Sequence, residues 1–306
     1  MTPETANDES AELSRAEVSR ADATSVRRLV RALVADLRAN RTSAIPGTLA
    51  DSLKHLVAQP ATSTIGDDYI YSHADDGGDA DDASAPFLSI VLVGVDVSPR
   101  LLNDALVALD AQSDDDFEVI VVAPDPTTGG SSIETMLRRF SAGLASRTRV
   151  VAAPNASGDA TPRLAAIRTG AALARGRYLS FLNATDVPFG HYVETLSRLA
   201  RTSPRGVLRA RAVRQPLRLV TWRDAEPGFE PAAGAASASS AHFSVLVHLV
   251  APATPPGSYA LRRDFASDLG VDEDVDEDEA LVEAALLAGV IEDPDDVIVL
   301  LRTFEN

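Results

Sequence analysis

The chain has 306 residues, 45% of them apolar and 24% charged, a globular composition with material for one large domain or two small ones. Lys and Arg total 28 against 45 Asp and Glu, a formal net charge of −17, so the surface field repels phosphate backbones and argues against nucleic acid as a main partner. Cysteine is absent, which excludes disulfides, thiolate metal sites and a cysteine nucleophile.

Residues 1–22 are polar and acidic with no apolar run, so they are expected to be disordered and do not read as a signal peptide. No stretch reaches the roughly 20 apolar residues that a bilayer span needs, and a cytoplasmic location is the expectation. Residues 23–60 form a helical segment in which Val26, Leu29, Val30, Leu33, Val34 and Leu37 recur at helical spacing. A second helix is expected in "TLADSLKHLV", after the turn "IPG" and capped by Thr48. These helices need a partner surface, so they are expected to mediate oligomerisation, hold a partner protein or fold back on the core. Residues 61–86 read as an acidic linker, because the aspartates of "SHADDGGDADDASA" repel one another and bury nothing. That segment lacks the regular ligand spacing and closing glutamate of a calcium loop. Arginine supplies almost all the positive charge, Lys54 being the only lysine; high genomic GC and adaptation to high salt would each produce this acidic, arginine-rich balance.

From residue 87 onward short apolar runs alternate with amphipathic segments, the pattern of an α/β domain with a mainly parallel central sheet flanked by helices. Strands are expected at 87–94, 117–123, 149–153 and 178–183. Between them the helical stripes are Leu101, Leu102, Ala105, Leu106 and Leu109, then Ile133, Met136, Leu137 and Phe140, then Leu164, Ile167, Ala171 and Leu173. A helix through Tyr192, Leu196 and Leu199 ends near Ala200. "GVLRARAV" and "LRLVTW" read as two strands, "EPGFEPAAGAASASSA" as a small-residue loop, either a substrate-side insertion or an unstructured surface excursion, and "FSVLVHLV" as a strand or a short helix. "SYALRRDFASDLG" is a strand turning into a helix, "DEALVEAALLAG" a helix stopped by Gly289, and "DVIVLLRTF" a closing strand.

Ligands of open α/β sheets gather at the carboxyl ends of the strands. There the first strand runs into Gly94 and Asp96, the second into "APDPTTGG" and the fourth into "NATD". No GxGxxG or GxxxxGKS loop follows any strand, and neither HExxH nor GxSxG occurs, which argues against a dinucleotide dehydrogenase, a P-loop NTPase, a zinc hydrolase of that type and a serine hydrolase. The five histidines show no metal-binding spacing.

The order of these blocks resembles a family 2 glycosyltransferase of GT-A fold over roughly residues 88–301. "SIVLVGVD" from Ser89 to Asp96 matches the opening strand, and "ALVALDAQSDDDFEVIVVAPDP", with Gln112, Phe117 and Glu118, matches the second block. "NASGDATPRLAAIRTGAALARGRYLSFLNATD" matches the third at Asn155, Gly170, Ala174, Gly176, Tyr178, Phe181, Leu182 and Asp186. "EDEALVEAALLAG" from Glu277 to Gly289 matches the acceptor-side motif EDxxL.

The resemblance implies an inverting transfer of a sugar from a nucleoside-diphosphate sugar to a glycan or other hydroxyl acceptor. Asp278, beside Glu277, would be the general base. Gly94, Asp96, Asp125, Arg168 and Asn183 would flank the donor, and Asp186 with Asn183 would hold a divalent metal, Mn or Mg. The chain departs from the pattern on the donor side. Ala123 and Pro124 stand where the family has two aspartates, the DxD triplet reads Asn183-Ala184-Thr185, the ARN triplet reads Ala166-Ile167-Arg168, and Ala284 replaces the arginine after EDxxL. These losses define the alternative, a GT-A-like domain without catalysis that serves as a scaffold or partner subunit.

Overall fold

The computed structural model describes residues 85–94, 98–123, 133–153, 161–202, 206–220, 228–232, 236–250, 254–266 and 276–304. The expected N-terminal helices, nearly all of the acidic linker, and Asp96, Asp125 and Asn155 lie outside these residues. Among the described residues no helix is long and apolar enough to cross a membrane.

The first half is a run of strand and helix units. Strands β1 (Leu88–Val93) and β2 (Phe117–Ala123) are buried at every position, which is why both read as continuous apolar runs rather than as alternations. They are followed by β3 (Thr148–Ala152) and β4 (Tyr178–Asn183). The order β3-β2-β1-β4 is parallel throughout. The connecting helices are α1 (Pro99–Asp110), the short α2 (Ile133–Leu137) and α3 (Ala142–Arg147), and α4 (Pro162–Leu173). Both long helices start by the same device: Ser98 and Thr161 cap with their hydroxyls, and a proline occupies the first turn, where its missing N–H costs nothing.

The sheet lies between two helical layers. On one face Leu88, Ile90 and Leu92 of β1 pack with Leu102, Ala105, Leu106 and Leu109 of α1 and with Tyr192, Leu196 and Leu199 of α5 (Tyr192–Thr202). On the other, Val91 and Val93 pack with Ala166, Ile167 and Ala171 of α4 and with Ala280, Leu281 and Ala284 of α8 (Glu277–Ala288). Each such side chain, fully buried, contributes about 1.5–3 kcal/mol, the alanines less. Gly170 permits the close seating of α4, since a Cβ there would lie 2.2 Å from Val91 Cγ1.

Beyond β4 the sheet departs from the expected mainly parallel arrangement and becomes mixed. The described strands are ordered β3-β2-β1-β4-β9-β6-β10-β5, with β7 and β8 also on β6. Here β5 is Val187–Pro188, β6 Val207–Val220, β7 Gly228–Pro231, β8 Ser237–Ala238, β9 Tyr259–Arg262 and β10 Val290–Phe304. Strand β9 is antiparallel to both its neighbours, β4 and β6, whereas β10 is parallel to β6. The chain leaving β6 returns as β9 after two hairpin-like strands and a short helix, α6 (Val245–Val250), and so re-enters the sheet from the opposite end. A strand's hydrophobic pattern gives its existence but not its direction.

Two further expectations change. The pair "GVLRARAV" and "LRLVTW" is one strand, β6, and the loop expected over 226–241 contains β7 and β8, both hydrogen-bonded to it. "FSVLVHLV" takes its helical alternative as α6. After β9 comes α7 (Arg263–Ala266), and α8 ends at Gly289, whose φ of 75° is the left-handed conformation that glycine adopts without strain.

Candidate functional site

A cleft of about 310 Å³ opens where four elements meet, lined by Arg163, Asn183, Arg214, Thr254, Pro255, Pro256, Glu277 and Asp278. Asn183 ends β4 and Arg214 belongs to β6, while Arg163 and the pair Glu277 and Asp278 stand in the first turns of α4 and α8. In an α/β layer a helix that returns along the sheet starts at the carboxyl edge of the strands, so both first turns face the ligand edge by topology. Asp276 caps α8, its side chain accepting from Glu279 N–H at 2.9 Å, and this fixes the two carboxylates that follow. Of the acidic side chains in this first turn, Glu277 and Glu279 are buried.

Arg163 ties the two sides of the cleft together. Its Nε donates to Asn183 Oδ1 at 3.1 Å, and its Nη1 donates to Glu277 Oε1 in a close ion pair. Asp278 is more open, and the buried His248, which is not part of the cleft wall, places its Nε2 at 3.3 Å from Oδ1. The His248 ring is 2% exposed and its Nδ1 accepts from Thr254 N–H at 3.4 Å, which leaves Nε2 as the nitrogen that faces Asp278. Tyr259 on β9 is fully buried; burial, followed by the charges of Asp278 and Glu277, pushes its hydroxyl pKa well above the ordinary value and keeps it neutral.

Asp186 sits in the turn after β4 with its carboxylate turned inward. Oδ2 accepts from both the backbone N–H and the side-chain amide of Asn183 at 3.0 Å, and Oδ1 from Thr185 Oγ1 at 3.4 Å. Burial pushes its pKa up to about 6 against the opposing pull of these hydrogen bonds and of Arg163. A divalent cation calls for anionic, hard oxygen ligands presented to the site. Asp186 is 2% exposed and does not line the cleft, and the one amide oxygen of Asn183 is taken by Arg163. Among the described residues no group of three or more His, Asp or Glu side chains is placed to hold a metal ion. This donor set, as placed, suits a guanidinium rather than Mn or Mg.

Of the residues singled out from the sequence, Asn183, Glu277 and Asp278 come together in the cleft. Gly94 lies one residue past β1 at the carboxyl edge, its N–H donating to Val122 O at 2.8 Å, and is not part of the cleft wall. Arg168 is on α4 five residues beyond Arg163, about 140° around the helix, and is not part of that wall either. Sequence reasoning passed over Arg163, Arg214, His248 and Thr254. The signal for Arg163 was available: "TPR" places an arginine two residues after a capping threonine, in the first turn of a helix that follows a parallel strand. Nothing local marks Arg214, which reaches the cleft from the mixed half of the sheet, or His248, which meets Asp278 from α6.

No protein-family model and no curated protein matches the chain. Among solved structures it is similar to S. aureus TarS residues 1–349 in complex with UDP-GlcNAc, at 15% identity and a TM-score of 0.48, over 72% of this chain and 59% of that one. A structure of the same TarS segment gives 16% identity and a TM-score of 0.47, over 70% of this chain and 60% of that one. A further crystal structure of S. aureus TarS gives 15% identity and a TM-score of 0.47, over 71% of this chain and 36% of that one. The chain thus spans about three fifths of the length of the first two.

Proposed function

We propose that the domain at residues 87–306 is an inverting glycosyltransferase of GT-A type that transfers a sugar from a nucleoside-diphosphate sugar to a hydroxyl acceptor. The observation that carries this reading is the convergence of Asn183, Glu277 and Asp278 with two arginines in one cleft at the carboxyl edge of the sheet. Three of these five residues belong to motifs more than 90 positions apart in the sequence. In this reading Asp278 Oδ takes the proton of the acceptor hydroxyl as that oxygen forms its bond to the anomeric carbon. The bond from the anomeric carbon to the diphosphate oxygen breaks on the opposite face, and its electron pair leaves with the nucleoside diphosphate. Glu277, held by Arg163, borders the acceptor side. The partly exposed Asp278 carboxylate suits a base that must meet a second substrate.

The experiment is a screen of nucleoside-diphosphate sugars for release of nucleoside diphosphate, with and without simple glycan acceptors, run on the full chain and on Asp278→Asn. Turnover by the wild type that falls at least about 100-fold in Asp278→Asn, with donor binding retained, supports the reading. Equal turnover in the two proteins removes Asp278 as the base. Folded protein that binds no donor favours the scaffold alternative, for which the internal use of Glu277 and Asp186 as structural carboxylates is the favouring observation.

A further inference from the structure

The chain has lost the family's metal-binding triplet, yet a leaving diphosphate carries several negative charges that must be offset. The structure shows what stands there instead. Where a metal would be held by the residue that ends β4, Asn183 Oδ1 accepts from the Nε of Arg163, and the only nearby anion of that turn, Asp186, is folded away beneath it. Arg163 lines the cleft and has five N–H donors, of which its contacts to Asn183 and Glu277 use only part. Arg214 faces the same cleft from β6, is exposed, and makes no ion pair among the described residues. In a protein with a net charge of −17 the wall of this cleft is formally balanced, two guanidiniums against the carboxylates of Glu277 and Asp278, and is less acidic than the chain as a whole.

We propose that Arg163 and Arg214 bind the donor's diphosphate directly, making donor binding independent of a divalent cation. This rests on the glycosyltransferase reading for the identity of the diphosphate. The planar fork of arginine matches phosphate oxygens in pairs, and its charge is permanent, so no proton or electron is exchanged in the step. Glu277 is the internal competitor: it holds Arg163 while the cleft is empty and is displaced from part of it when the diphosphate arrives. Asn183 keeps the guanidinium aimed, the position where an aspartate would have attracted a metal.

The test is calorimetric titration of the full chain with inorganic pyrophosphate and with UDP and GDP, in EDTA and in millimolar Mg or Mn. The expected result is an affinity that changes less than about twofold between EDTA and metal, and falls at least about tenfold in Arg163→Gln and in Arg214→Gln. Glu277→Gln is expected to tighten pyrophosphate binding, because it removes the competing carboxylate. Arg214→Gln breaks no ion pair among the described residues, and circular dichroism checks that both arginine variants fold. Binding that needs metal, or binding unaffected by both arginine substitutions, overturns the proposal, as does folded protein that binds none of the three ligands. The two readings fail separately. Metal-dependent nucleotide binding sinks the arginine clamp and leaves the transferase standing. Metal-independent binding of pyrophosphate, UDP and GDP with equal affinity and no donor turnover keeps the clamp and removes the transferase.

Discussion

Replacing Glu118 by alanine should destabilise the domain by about 2–4 kcal/mol, and the figure follows from which of its partners can reach water. Glu118 is 2% exposed on β2. It accepts from Ser89 Oγ at 2.7 Å, from Arg175 N–H at 2.7 Å, from Arg175 Nε at 3.1 Å and Nη2 at 3.0 Å, and from Arg149 Nη2 at 3.0 Å. Ser89 in turn accepts from Gly176 N–H at 2.8 Å, so one carboxylate joins β1, β2 and the approach to β4. The two guanidiniums are 37% and 65% exposed and can turn to solvent, so their loss contributes little. The Ser89 hydroxyl is fully buried and cannot, the Arg175 N–H is partly buried, and a buried donor left without an acceptor costs about 1–3 kcal/mol. Glu118→Gln keeps an acceptor and the shape, and should lose only about 1–2 kcal/mol. Burial acts to raise the Glu118 pKa, but the hydrogen bonds from Ser89 and Arg175 and the charge of Arg149 outweigh it and hold the group below the ordinary carboxylate value. A carboxylate depressed in the folded state contributes stability that is present above its unfolded pKa and is lost as pH falls through the folded one. Urea unfolding followed by circular dichroism, at neutral pH and down the acid range, measures both effects. A Glu118→Ala protein within about 0.5 kcal/mol of wild type, or a Glu118→Gln protein with an unchanged acid profile, would refute this account of the network.

Asp186 should behave oppositely with pH. Its folded pKa is raised to about 6, so the folded protein holds a proton there that the unfolded chain has released, and stability contributed by that proton is lost as pH rises from about 4 to 6. Unfolding of Asp186→Asn should lack this component, by roughly 2–3 kcal/mol across that window; identical pH profiles would contradict the burial argument. Gly170→Ala would place its Cβ 2.2 Å from Val91 Cγ1 and lift α4 off β1, with an expected loss of about 1–3 kcal/mol. Adding Val91→Ala should cost less in that background than alone, and strict additivity by chemical denaturation would refute the clash. Gly257, at a φ of 84°, follows the two prolines of the cleft wall, and a Cβ would meet Leu182 Cδ2 at 2.8 Å. Gly257→Ala should lower stability by at least about 1 kcal/mol and weaken nucleotide binding, and a neutral substitution would show that the loop does not position the wall.

The parallel half of the domain is legible in the sequence because its signals are local. β2 and β4 occupy the residues expected of them, and all five apolar residues of the first stripe are buried on α1. The mixed half is not, because the direction of β9 and the fusion of two apolar runs into β6 depend on pairings across long connections. The candidate site divides along the same line. Asn183 and the Glu277 and Asp278 pair lie at ends that motif order identifies, whereas Arg214 is one arginine among several on a long strand and His248 lies on a helix that the sequence left undecided. Asp186 illustrates another limit: its motif position is kept, but the alternative use of a carboxylate, accepting from its own turn, is visible only in three dimensions.

The most direct test of the central claim, that this cleft is a nucleoside-diphosphate site, is calorimetric titration of the full chain with UDP and GDP, repeated on Arg163→Gln. The account predicts saturable binding of one nucleotide per chain in the micromolar range, worth about 8 kcal/mol, and a marked loss in the variant. Well-folded protein that binds neither nucleotide, or that binds with no response to Arg163, would contradict it.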